Sequence, residues 1–142
     1  MQRDVRLPIH AAALDSIVST IRSSDSRLET GGALFGPPDG SRVLHAVGPA
    51  PNAERGPRSF RRDLAFTQYE AVRLYQADRS HWIGEWHTQI DVPASPSELD
   101  LHTYAKHIAD PDLGFDRFLA LIIATSGSQP LLAAWMRGTR SS

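Results

Sequence analysis

The chain has 142 residues, enough for one domain with a buried core, and its 15 basic and 16 acidic residues leave a formal charge of -1. That balance excludes a whole-protein field for nucleic acid or an anionic membrane. The absence of cysteine excludes a disulfide framework, a thiol nucleophile and a thiolate metal site, so any metal must be held by His, Asp, Glu or neutral oxygen. No apolar run approaches a membrane span and the first residues lack a signal-like apolar stretch, which makes the cytoplasm the expected location.

In chain order, Ile9, Ala13, Ile17, Val18 and Ile21 recur at three- and four-residue steps and predict an amphipathic first helix after Pro8. Glu29 to Gly36 carries Ala33, Leu34 and Phe35 between glycines. The turn signal Pro37-Pro38-Asp39-Gly40 then leads into Arg42 to Val47, so a hairpin is expected. Pro49 to Ser59 has three prolines and no apolar periodicity and reads as a loop. The basic cluster Arg55, Arg58, Arg61 and Arg62, in this Pro/Gly-rich region, reads as a solvated loop or a partner contact.

A second helix follows through Leu64, Phe66, Tyr69, Val72, Leu74 and Tyr75, with Asp63 near its first turn. Trp82 to His87 has strand character, and Pro93, Ser95, Pro96 and Ser97 mark a long turn. Asp100 then opens a third helix with Leu101, Tyr104, Ala105 and Ile108 on one face. Phe118 to Ala124 and Leu131 to Met136 read as closing strands. The first of these is apolar almost throughout, which implies a strand covered on both faces.

A catalytic zinc takes three protein ligands and leaves one position for water. On a strand, residues i and i+2 share a face, so His87 and residue 89 can reach one ion, and Asp100 at the next helix start can bring a carboxylate to it. A Glu from another strand would then serve as base.

The segment Gly84-Glu85-Trp86-His87-Thr88-Gln89, followed by Pro96-Ser97-Glu98-Leu99-Asp100, resembles the motif His-x-His-(seven residues)-Ser-x-x-Asp of the JAB/MPN metallopeptidases. Glu29-Thr30-Gly31-Gly32-Ala33-Leu34-Phe35-Gly36 resembles the family's Glu-bearing strand, and Phe60-Arg61-Arg62-Asp63 with Gln68 resembles a stretch of its short bacterial members. The resemblance runs from about residue 9 to 137 of a single domain. It implies an α/β fold, cytidine-deaminase-like, with a curved mixed sheet flanked by helices.

The same resemblance implies a zinc-dependent peptidase or isopeptidase that acts at the C-terminus of a ubiquitin-like or sulfur-carrier protein. In that reading His87 and Asp100 bind one zinc ion, Glu29 takes the proton from the zinc-bound water, and Ser97 hydrogen-bonds the oxyanion. Position 89 departs from the family, with Gln where the second metal-binding His belongs, and position 90 is Ile instead of Pro. A Gln amide oxygen is a weak zinc ligand beside an imidazole. Asp91 is a further carboxylate nearby. The alternative is therefore an MPN-type binding or scaffold module that has lost a ligand at Gln89.

Other roles compete at several of these positions. Ser97 and Asp100 also form a good helix start, as cap and first-turn carboxylate. Glu85 shares the face of His87 and reads either as a fallback acid or as a carboxylate behind the ligand. His81, His102 and His107 lack zinc spacing, and no phosphate loop, Gly-x-Ser-x-Gly or His-Glu-x-x-His occurs.

Overall fold

The computed structural model describes residues 7–49, 53–56, 60–61, 63–90, 94–125 and 131–137. Helix α1 (Ala11–Ser23) buries Ala13 and Ile17. Ile9 lies outside it, contrary to the periodicity. The backbone around Ile9 instead pairs with Val43, through His10 N to Val43 O and Val43 N to Pro8 O, and the helix begins only after those bonds are made.

Strands β1 (Gly31–Gly36) and β2 (His45–Ala46) form the expected antiparallel hairpin, with Leu34 opposite Ala46. Gly40 closes the turn at φ 68°, a conformation glycine adopts without penalty, and donates to Pro37 O at 2.9 Å. The segment expected to be a loop contains a second, short hairpin, β3 (Glu54–Arg55) with β4 (Phe60–Arg61). Apolar periodicity could not reveal it, because its backbone is fixed from outside: Gly56 O accepts from the Glu29 amide at 2.7 Å.

Helix α2 (Leu64–Asp78) is capped by Asp63, whose carboxylate accepts from Phe66 N at 3.1 Å. It turns Leu74 inward but leaves Leu64, Tyr69, Val72 and Tyr75 exposed. Helix α3 (Glu98–Ala109) starts at a full capping box, with Ser97 as N-cap and Asp100 at the third helical position. The face expected to be apolar is divided. Tyr104 is buried and Ile108 packs on the core, whereas Leu101 and Ala105 face solvent.

Strands β5 (His81–Gln89), β6 (Arg117–Ala124) and β7 (Leu131–Arg137) complete a five-stranded mixed sheet of order β2-β1-β5-β6-β7. β5 runs antiparallel to β1 and parallel to β6, with α3 as the crossover. Ala13 and Ile17 of α1 pack with Leu34, Trp86, Leu119 and Leu121 on one face. α2 and α3 pack on the other, against Phe35 and Phe118. Both faces of β6 are therefore covered, as its unbroken apolar run requires.

A one-residue slip in the β1–β5 register, between Leu34 and Phe35, leaves Ile83 unopposed. Trp82 thereby turns to the face of α2 and α3, where it meets Phe115 and Phe118, while Trp86 stays in the core under α1. Among the described residues no helix is long and apolar enough to cross a membrane.

Candidate metal centre

The site forms where β5 ends and α3 begins. Here the parallel β5–β6 pair, with its helical crossover, opens a crevice at the strand's carboxyl end. His87 lies opposite Gly31 across the β1–β5 pair and is only 2% exposed. A Cβ on Gly31 would stand 2.2 Å from Trp86 O and 2.8 Å from His87 Cβ, so glycine is what lets β1 come this close to the histidine.

Asp100 is brought to the ring by the helix start. Its Oδ2 accepts from Ser97 N at 2.9 Å, Ser97 Oγ accepts from Asp100 N at 3.0 Å, and the same Oδ2 stands 3.4 Å from His87 Nε2. Both expectations for Ser97 and Asp100 are compatible, since the capping geometry is what aims the carboxylate. Burial raises the Asp100 carboxyl, but the His87 imidazole and the Ser97 donors outweigh it and hold it below the usual range.

Glu29 precedes β1 and is 5% exposed. Burial pushes its carboxyl from 4.5 up to about 7, with His87 drawing it down and Asp100 pushing it up. It therefore shares one electrostatic site with those two residues. Its peptide is held from both sides, by Gly56 O on its N–H and by Arg55 Nε on its carbonyl at 3.1 Å. The arginine cluster thus contributes a contact at the site that sequence reasoning placed in solvent or on a partner. Arg58 and Arg62, like Asp91, lie outside the described residues.

Gln89 is buried next to His87 on the strand, but its amide is committed elsewhere. Nε2 donates to Ser95 O at 2.5 Å and Oε1 accepts from Ser95 N at 3.2 Å. It clamps the turn that leads into α3. The residue that joins His87 and Asp100 is Glu85, whose Oε1 lies 3.7 Å from His87 Nδ1. Ligand atoms of Glu85, His87 and Asp100 all lie within 4.8 Å of one another, a group that could hold a metal ion. Sequence pattern pointed to Glu85 only through its shared strand face with His87.

These residues suit a cation. Among the described residues the buried His87 Nε2 makes no hydrogen bond of ordinary length. Its 3.4 Å separation from Asp100 Oδ2 is close to the roughly 3.3 Å between N and O ligands that tetrahedral bonds of about 2.0–2.1 Å produce. Glu85 and Asp100 also line a cleft of about 530 Å³ between α2 and α3, with Leu64, Leu99, Lys106 and His107 on its walls. His107 packs edge-on against Trp82 on the wall of this cleft, and His81 packs edge-on against Tyr75.

The family of prokaryotic homologs of the JAB domain matches residues 10–138, and the chain belongs to it. In three dimensions the fold is similar to the solution structure of protein DSY2949 from Desulfitobacterium hafniense. That similarity has a TM-score of 0.59 at 21% identity and covers 92% of this chain and 82% of the other. No curated protein matches the sequence significantly.

Proposed function

We propose that the protein is a zinc-dependent peptidase or isopeptidase of the JAMM type, cleaving at the C-terminus of a ubiquitin-like or sulfur-carrier protein. The observation that supports this reading is the approach of Asp100 Oδ2 to the buried His87 Nε2 at 3.4 Å, with the buried Glu29, whose carboxyl burial pushes up to about 7, electrostatically coupled to both. A group that titrates there can both accept and return a proton at neutral pH. His87 and Asp100 would hold the ion. Zinc, when bound, supplies a Lewis acid that acidifies water and polarises a carbonyl.

Glu29 removes the proton from the attacking water and delivers it to the leaving amine. The Ser97 hydroxyl, fixed at the head of α3, donates to the carbonyl oxygen as charge develops there. The test is release of a C-terminal extension from a ubiquitin-like or sulfur-carrier fusion by zinc-loaded protein, followed by mass spectrometry. Glu29→Ala should abolish release with zinc content unchanged; release that persists in this variant would refute the role of Glu29.

A second reading is a JAB-type binding module, favoured by the commitment of Gln89 to Ser95. In that case the protein captures a ubiquitin-like partner but releases nothing with zinc present.

A further inference from the structure

Glu29 lies just before β1, and the bonds to β5 at this end of the strand are made by Thr30. The Thr30 carbonyl accepts from Thr88 N at 2.8 Å, and its amide donates to Thr88 Oγ1 at 2.9 Å. Both peptide groups of Glu29 turn elsewhere. Its amide donates to Gly56 O at 2.7 Å, and its carbonyl accepts from Arg55 Nε at 3.1 Å. The planar peptides on either side of the Glu29 Cα are thus pinned, and with them the direction in which its side chain leaves the backbone.

We propose that Arg55 is a positioning residue for Glu29: its guanidinium fixes the Glu29–Thr30 peptide so that the Glu29 carboxylate faces the His87–Asp100 site. This rests on the reading of Glu29 as the base. Arg55 acts through the main chain and leaves the carboxylate to move the proton. β3 and β4 form a two-stranded sheet apart from the main one, and so short a ribbon is not stable alone. The bonds to Glu29 therefore hold the ribbon as well as the base.

The arginine is kept there at a cost. Among the described residues Arg55 Nη2 is buried without a hydrogen-bond partner, and a charged donor left in that state lowers stability. A side chain serving packing alone would do better without that donor, so the bond to Glu29 is what accounts for an arginine at this position. The bond has leverage on chemistry, because misplacing a reacting group by about 1 Å can slow a reaction about 100-fold.

The test compares Arg55→Met, which keeps an unbranched side chain and removes its donors, with Arg55→Lys, which keeps a charged donor. Release from the ubiquitin-like or sulfur-carrier fusion by zinc-loaded protein gives kcat and KM separately. Urea unfolding gives stability, and hydrogen exchange of the Glu29 amide is read on metal-free protein. Arg55→Met should lower kcat by about 10- to 100-fold with KM and zinc content unchanged. Its unfolding midpoint should be unchanged or raised, while the Glu29 amide loses protection. Arg55→Lys should recover part of both kcat and protection.

An unchanged kcat in Arg55→Met would overturn the proposal. So would a raised KM at unchanged kcat, which would make Arg55 a substrate contact, or a large loss of stability, which would make it a packing residue. If Arg55→Met does not fold, Arg55→Lys decides: reduced kcat and protection support the proposal, and values equal to the parent's overturn it. A parent protein that releases nothing loses the peptidase reading alone, because exchange and stability still decide for Arg55. Lost Glu29 protection at unchanged stability keeps the inference, and unchanged protection removes it.

Discussion

The Asp100 oxygen that completes the capping box of α3 is the same oxygen that faces His87 Nε2 at 3.4 Å. Helix capping and site assembly are therefore one structural event. Replacing Ser97 by Ala should cost about 1 kcal/mol through loss of the N-cap, whereas Asp100→Ala should cost that much and also abolish tight zinc binding. Urea unfolding with chelator competition checks the pair. The stability Asp100 contributes is fully present above the ordinary carboxylate value of 3.8 and is lost as pH falls through its lowered folded value.

Glu29 has the opposite sign. Its carboxyl is raised from 4.5 to about 7, so between those values the native state keeps a proton that the unfolded chain has released, and stability falls as pH rises. Glu29→Gln, neutral throughout, should exceed the metal-free parent in stability above pH 7 by on the order of 3 kcal/mol, with no difference below about 4.5. Denaturant melts from acid to neutral pH read this directly. His87→Ala should move the Glu29 titration higher still, because the imidazole draws it down.

Gln89→Ala removes both hydrogen bonds to Ser95 and should cost about 1–2 kcal/mol. The Ser95 amide should lose its protection from hydrogen exchange. Gln89→His frees Ser95 and places an imidazole on the strand face of His87, where it should raise zinc affinity roughly tenfold or more. Unchanged affinity would show that this position does not reach the ion.

Gly31→Ala places a methyl against Trp86 O and His87 Cβ. β1 must move away from β5 at that point, at a cost of about 1–3 kcal/mol. Zinc binding should weaken in the folded variant, since His87 lies on β5 and Glu29 leads into β1, the two strands being parted. Thermal melts and chelator competition together check this.

The sequence by itself determined the elements that local chemistry specifies: the Pro37-to-Gly40 turn, the cap at Ser97, and the apolar β6 that demanded cover on both faces. It also pointed to His87 and Asp100, which the structure brings together, because a strand face and a helix start carry them. Only the tertiary structure decided the rest. The β3–β4 hairpin exists through its bonds to Glu29, the buried side of α2 is chosen by the sheet, and Gln89 is claimed by Ser95. Glu85 comes to the opposite edge of the His87 ring from Asp100. Each of these depends on groups distant in sequence competing for one donor, acceptor or face, and periodicity and spacing carry no record of that competition.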